Sequence, residues 1–126
     1  MRNVLYKTLV VLLWLVLPFT AWEYYGHWDQ LPARMAVHFD ANWQPNGYTS
    51  REGAVMLGLG IMSFLLVIFT LTTLIIHALR PAVAWPALLI TYAVLGFCWY
   101  GNHMIVKFNL NLLAPHPPPV NLTVPQ

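Results

Sequence analysis

The chain has 126 residues, 59% of them hydrophobic and 8% charged, with a mean hydropathy of +0.60 and a formal net charge of +2. Soluble domains carry about 25% charged residues, so this composition excludes an ordinary soluble domain and makes the bilayer the solvent. The basic residues are scattered, which excludes the basic stripe of a nucleic-acid-binding protein, and the single cysteine, Cys98, excludes a disulfide framework.

The first apolar segment runs from Val4 to Trp22, interrupted only by Lys7, whose stem can snorkel to the headgroups. That is long enough to span, since a crossing helix needs roughly 20 apolar residues. Arg2 and Lys7 resemble the charged start of a signal peptide, but no small-x-small cleavage pattern follows Pro18. Trp22, Tyr24 and Tyr25 read instead as an interfacial aromatic belt. A retained transmembrane helix over residues 1–22 is therefore expected.

Residues 23–52 form a polar island between hydrocarbon segments. All four carboxylates of the chain, Glu23, Asp29, Asp40 and Glu52, fall in it. Val37-His38-Phe39-Asp40 alternates apolar and polar residues, which predicts an extended segment with His38 and Asp40 on one face and a small strand pair over the membrane surface. Pro45-Asn46-Gly47 predicts the chain reversal, because proline fixes φ and Asn and Gly tolerate positive φ. Arg34, His38, Asp40, Trp43, Tyr48 and Arg51 combine rigid aromatics with charges, the mixture found at binding hot spots, and are the candidate binding surface.

Two His-x-Asp pairs, His27 with Asp29 and His38 with Asp40, could converge four N/O ligands on a divalent cation, although no spacing fixes their mutual distance. The competing role for His38 is structural: a hydrogen bond to Asp40 or to a backbone carbonyl would hold the loop closed. The expectation is an anchoring His38, with no bound metal or other cofactor.

Gly53 to Ala78 and Ala82 to Val106 carry no charge, and each exceeds the length needed to cross. The connector around Arg80 and Pro81 is so short that the two helices must form an antiparallel hairpin over residues 53–106. Pro81 and Pro86 fall in opening turns of the third helix, where a missing N–H costs little. Ala54-x-x-x-Gly58, followed by Gly60, is a small-residue face permitting close helix approach, either by another protein or within this chain. His77 and His103 read as interfacial. The Pro-rich tail over 107–126 is expected to be extended, on the same side as the loop. Arg2, Lys7 and Arg80 balance Arg34, Arg51 and Lys107 across the membrane, so the positive-inside rule ties; an N-terminus on the inner side is expected.

The loop resembles the signature of a bacterial domain-of-unknown-function membrane family found at the N-terminus of SdpI-type immunity proteins. The resemblance rests on Leu31-Pro32, Val37-His38-Phe39-Asp40, Pro45-Asn46-Gly47-Tyr48 and Ser50-Arg51. Ala36 departs from it where a second proline is usual, and Trp43 where a glycine is usual. It implies helices framing the loop, and a role in protection against, or signalling about, a secreted peptide.

The resulting expectation is an all-α integral membrane protein with three transmembrane helices and a structured extracytoplasmic loop between the first two. It would reside in the bacterial inner membrane as a non-catalytic, SdpI-like accessory or immunity module that recognises a secreted peptide or another membrane protein through the loop. No Ser-His-Asp grouping has a recognisable setting and no acid lies within a span, so no catalytic residues are assigned. The rival reading is a structural accessory subunit of a larger membrane complex, docking through Ala54 and Gly58. A metal-dependent membrane hydrolase is a third.

Overall fold

A computed structural model describes residues 1–112; the part of the Pro-rich tail from residue 113 onward lies outside the described residues. In chain order the elements are helices α1 (Arg2–Leu12) and α2 (Val16–Tyr25), strands β1 (Arg34–Phe39) and β2 (Pro45–Ser50), and helices α3 (Arg51–Leu79) and α4 (Pro81–Leu112). Three helical stretches are long and apolar enough to cross a membrane, Arg2–Tyr25, Arg51–Leu79 and Pro81–Asn111, which makes this a multi-pass membrane protein.

The first span is α1 and α2 joined through one 3₁₀ turn at Leu13–Leu15. Pro18 accounts for that step: it has no N–H to give the carbonyl of Trp14, and its ring crowds that carbonyl, so the preceding turn tightens. The buried residues Tyr6, Val10, Leu13, Thr20 and Tyr24 follow helical spacing along one face of this span. That face lies against Met62 and Leu66 of α3 and Ala84, Leu88 and Leu95 of α4. In lipid, apolar side chains gain little from leaving the solvent, so close packing and interhelical hydrogen bonds hold such a bundle. Side-chain hydrogen bonds tie the first span to the hairpin of α3 and α4 along its length. Tyr6 Oη donates to the Thr73 carbonyl at 3.0 Å, and Trp14 Nε1 to Thr70 Oγ1 at 2.9 Å. Tyr92 Oη donates to the Leu9 carbonyl and Tyr24 Oη to Asn102 Oδ1, both at 2.6 Å.

At 1.5 Å per residue, the 29 residues of α3 extend about 43 Å and the 32 of α4 about 48 Å, against roughly 30 Å of hydrocarbon. The strand pair packs on the start of α3 and the end of α4. Helix α4 runs past the expected boundary at Val106, through Lys107, to Leu112. No proline interrupts before Pro115, and Val106 and Asn109 are buried against the loop. The start of α3 is fixed by Ser50, whose Oγ accepts the Gly53 N–H at 3.0 Å as an N-cap.

The strands pair antiparallel, with Arg34 opposite Ser50 and Ala36 opposite Tyr48, so the expected strand pair is present. Its reversal is elsewhere than expected. Pro45, Asn46 and Gly47 belong to β2, and the turn is made by Asp40 to Gln44. One Asp40 carboxylate oxygen accepts the backbone N–H groups of Asn42 at 2.8 Å and Gln44 at 3.0 Å. This carboxylate-centred turn satisfies donors that Pro45-Asn46-Gly47 would have left to water. Among the described residues no glycine has positive φ; Trp43 does, at 58°.

Gly47 is required for a different reason than turn geometry. A Cβ there would lie 2.8 Å from His38 Cβ on the facing strand, inside any real contact distance. Gly47→Ala is expected to force the strands apart at a cost of about 1–3 kcal/mol. Amide exchange across residues 34–50 should accelerate in this variant and stay unchanged in Gln44→Ala; equal protection in both would show that the strands yield without cost.

Candidate functional site

The loop has a small core of its own. Leu31, Met35, Ala54, Val55 and Val106 are buried together around Tyr24, with Trp28, Val37 and Ile105 packed on the margin. This cluster joins the hairpin to the start of α3 and the end of α4.

Two polar side chains lock the strands to that core. Asn109 of α4 is fully buried; its Oδ1 accepts the Ala36 N–H at 2.9 Å and its Nδ2 donates to the Ala36 carbonyl at 2.8 Å. A side-chain amide carries the donor and acceptor of a peptide group, so Asn109 acts as a one-residue neighbouring strand for β1. Arg51 spans the other side. Its guanidinium donates to the Trp28 carbonyl at 2.9 Å and lies 4.5 Å above the Trp28 ring, while its backbone N–H donates to the Ala33 carbonyl at 3.0 Å.

Arg51, which the sequence assigns to the binding surface, is half-buried and clamps the loop, whereas that surface calls for exposed side chains. The other five candidates, Arg34, His38, Asp40, Trp43 and Tyr48, are exposed. Arg34 lies over the Tyr48 ring at 4.8 Å, a cation–π pair that presents both groups outward. His38 Nδ1 forms a hydrogen bond with the Asn46 side chain, not with Asp40 or a backbone carbonyl, the partners expected for an anchoring role. Asp40 builds the turn, and Trp43 stands at its tip, 67% exposed. Phe39 bridges that tip to the helices, 6.2 Å from the Trp43 ring and 4.8 Å edge-on to Phe108.

The metal candidates are not gathered. His27 Nδ1 donates to the Glu23 carbonyl at 2.8 Å, and His38 and Asp40 serve the hairpin. Among the described residues no three His, Cys, Asp or Glu side chains are placed to hold an ion. The sequence pattern fixed only local spacing, and the two pairs sit on separate elements.

The small-residue face at Ala54 and Gly58 is filled from within. Ala54 is buried in the loop core, and a Cβ at Gly58 would meet Asn102 Oδ1 at 2.3 Å and Tyr24 Oη at 2.9 Å. Gly58 thus opens the space in which the Tyr24–Asn102 hydrogen bond ties the first span to α4. Beside that bond, Glu23 Oε1 accepts from His103 Nδ1 at 3.0 Å, and the imidazole stacks on Trp99 with centroids 5.4 Å apart. A groove of about 450 Å³ opens here between α3 and α4, floored by Gly58 and Gly101 and roofed by Val37 and His38.

Sequence reading missed Asn102 and Asn109 as organising residues. A signal was present for Asn102: an amide within an apolar segment belongs on an interior face, because lipid cannot satisfy it, whereas Asn109 lies beyond the segment's expected end at Val106. Which backbone each would meet depends on the loop's position over the helices.

No curated protein and no solved structure is significantly similar to this chain. Residues 8–62, from the first span through the hairpin and the Arg51 clamp into α3, match a family described as a domain of unknown function, DUF1648.

Proposed function

We propose that this is a non-catalytic recognition module of the bacterial inner membrane, an SdpI-like accessory or immunity protein that engages a secreted peptide or a membrane partner through the outer face of its hairpin. The N-terminus lies inside and the hairpin outside in this reading. The observation that carries it is Trp43. A tryptophan held at φ 58° costs about 1–2 kcal/mol relative to glycine, yet the ring is 67% exposed and contributes little packing in return. Strain without a folding benefit, next to the Arg34–Tyr48 pair, supports a surface kept for binding.

Trp43→Gly separates the two roles, since it relieves the strained backbone and removes the ring. The variant is expected to keep or gain hairpin stability and to lose partner engagement. A photo-crosslinking residue in place of Tyr48 in living cells should yield a discrete adduct that Trp43→Gly and Arg34→Ala diminish at least tenfold, while the same probe at lipid-facing Ile75 should yield none. An adduct from Ile75 alone would favour a structural subunit docked through its helices. A thiol-reactive, membrane-impermeant reagent should label Asn42→Cys in intact cells in a Cys98→Ala background; protection of that site would reverse the orientation.

A further inference from the structure

The end of the bundle opposite the hairpin holds a second cleft, about 350 Å³, lined by Arg2, Asn3, His77, Pro81 and Trp85. Its lining includes the Arg2 guanidinium, the Asn3 amide and the His77 imidazole, whereas the groove between the first span and α4 is lined by Leu12, Val16, Phe19 and Leu95. We propose that this cleft binds the phosphate of an anionic phospholipid.

The charge distribution is the first reason. Arg2 lines the cleft, Lys7 follows Asn3 at i+4 on the same helix face, and Arg80 immediately precedes Pro81 in the rim. None of the four carboxylate side chains of the protein is near. All lie between residues 23 and 52, and Glu23 is 21 residues from Arg2 along one span, about 30 Å at 1.5 Å per residue. That exceeds the screening length of roughly 8–10 Å, so nothing local neutralises the cations. The first turns of α1 and α4 both line the cleft, adding two positive helix ends; the C-terminal end of α3 opposes them, with His77 in its last turn and Arg80 at its C-cap.

The second reason is that the cleft is built before any ligand arrives. Tyr6, fully buried beneath it, stacks on His77 with centroids 4.2 Å apart and meets Trp85 edge-on at 5.4 Å. The Tyr6 hydroxyl is held by the carbonyls of Thr73 and Ala84, which fixes both walls. The third reason selects a lipid over a soluble anion. Val4, Leu5, Leu79 and Val83 around this end are all more than half exposed, an apolar rim along which acyl chains can lie once the phosphate is seated. Basic clefts between transmembrane helices at the headgroup level fit such lipids, whichever leaflet faces them.

Native mass spectrometry of the full-length protein in mild detergent tests this with phosphatidylglycerol and phosphatidylcholine as probes at equal concentration. Phosphatidylglycerol adducts are expected to survive at higher activation energy and in at least fivefold excess. Each arginine removed should weaken phosphatidylglycerol binding about fivefold, so Arg2→Gln with Arg80→Gln should abolish the preference, and His77→Phe, which keeps the stack on Tyr6, should reduce it. Lys107→Gln at the far end should leave it intact. Equal retention of both lipids by the wild type would overturn the proposal, as would the same loss in Lys107→Gln. Displacement of the lipid by millimolar inorganic phosphate would identify a free-anion site and overturn the lipid assignment.

Discussion

Asn109→Leu is expected to release the hairpin from the helix ends while leaving all three spans inserted. The substitution leaves the Ala36 N–H and carbonyl without partners, and Ala36 is fully buried. An unsatisfied buried backbone group costs about 1–3 kcal/mol, so the pair amounts to a loss of roughly 2–6 kcal/mol against an element of only two strands. Leucine fills a similar volume and suits a membrane helix, so α4 itself should persist. Limited proteolysis should cut within residues 34–50 at least tenfold faster than in the wild type, and the Ala36 amide should lose its exchange protection. Unchanged protection would mean that the loop core alone, through Met35 and Val55, is sufficient to hold β1.

Gly58→Leu is expected to separate the first span from α4 at the loop end. Its Cβ would fall 2.3 Å from Asn102 Oδ1, so either the Tyr24–Asn102 bond breaks or α3 moves outward. Overpacking of this kind costs about 1–3 kcal/mol or more, and the lost interhelical hydrogen bond adds roughly 0.6 kcal/mol. Gly60→Leu is the matched control, because a Cβ there meets nothing within 4 Å. The melting temperature in detergent should fall clearly for Gly58→Leu and barely for Gly60→Leu. If Gly60→Leu instead kept its stability but prevented co-purification of another membrane protein, the open side of α3 would be a docking face, and the structural-subunit reading would gain the support that Ala54 and Gly58 do not supply.

The three spans were legible because lipid imposes a simple rule: uninterrupted apolar segments of sufficient length become helices that satisfy their own backbone. The antiparallel hairpin of α3 and α4 followed from a connector too short for any other arrangement. The strand pair was legible in the alternation around His38, where a period of two places side chains on opposite faces. The position of the turn was not, since Pro45-Asn46-Gly47 and Asp40 to Gln44 both carry turn-forming residues. Local propensity cannot choose between them.

Tertiary contact decided that choice. Gly47 faces His38 across the ladder, where only a residue without Cβ fits, and Asp40 remains free to gather the amides of the turn. The same holds for the candidate site. Composition marked residues 23–52 as the place where specificity could reside, and five of its six candidates are exposed there. Arg51 turned inward because the tertiary fold brings the Trp28 ring and the carbonyls of Trp28 and Leu31, at the 3₁₀ turn, within reach of its guanidinium. Asn109 became an organising residue because β1 lies across α4 with the Ala36 peptide group facing it. Sequence by itself thus determined what must be buried in lipid and what must meet water, which are matters of transfer free energy carried by each residue. Which polar groups pair with which was decided only by the fold, because a hydrogen bond depends on the position of two atoms and a sequence specifies only one at a time.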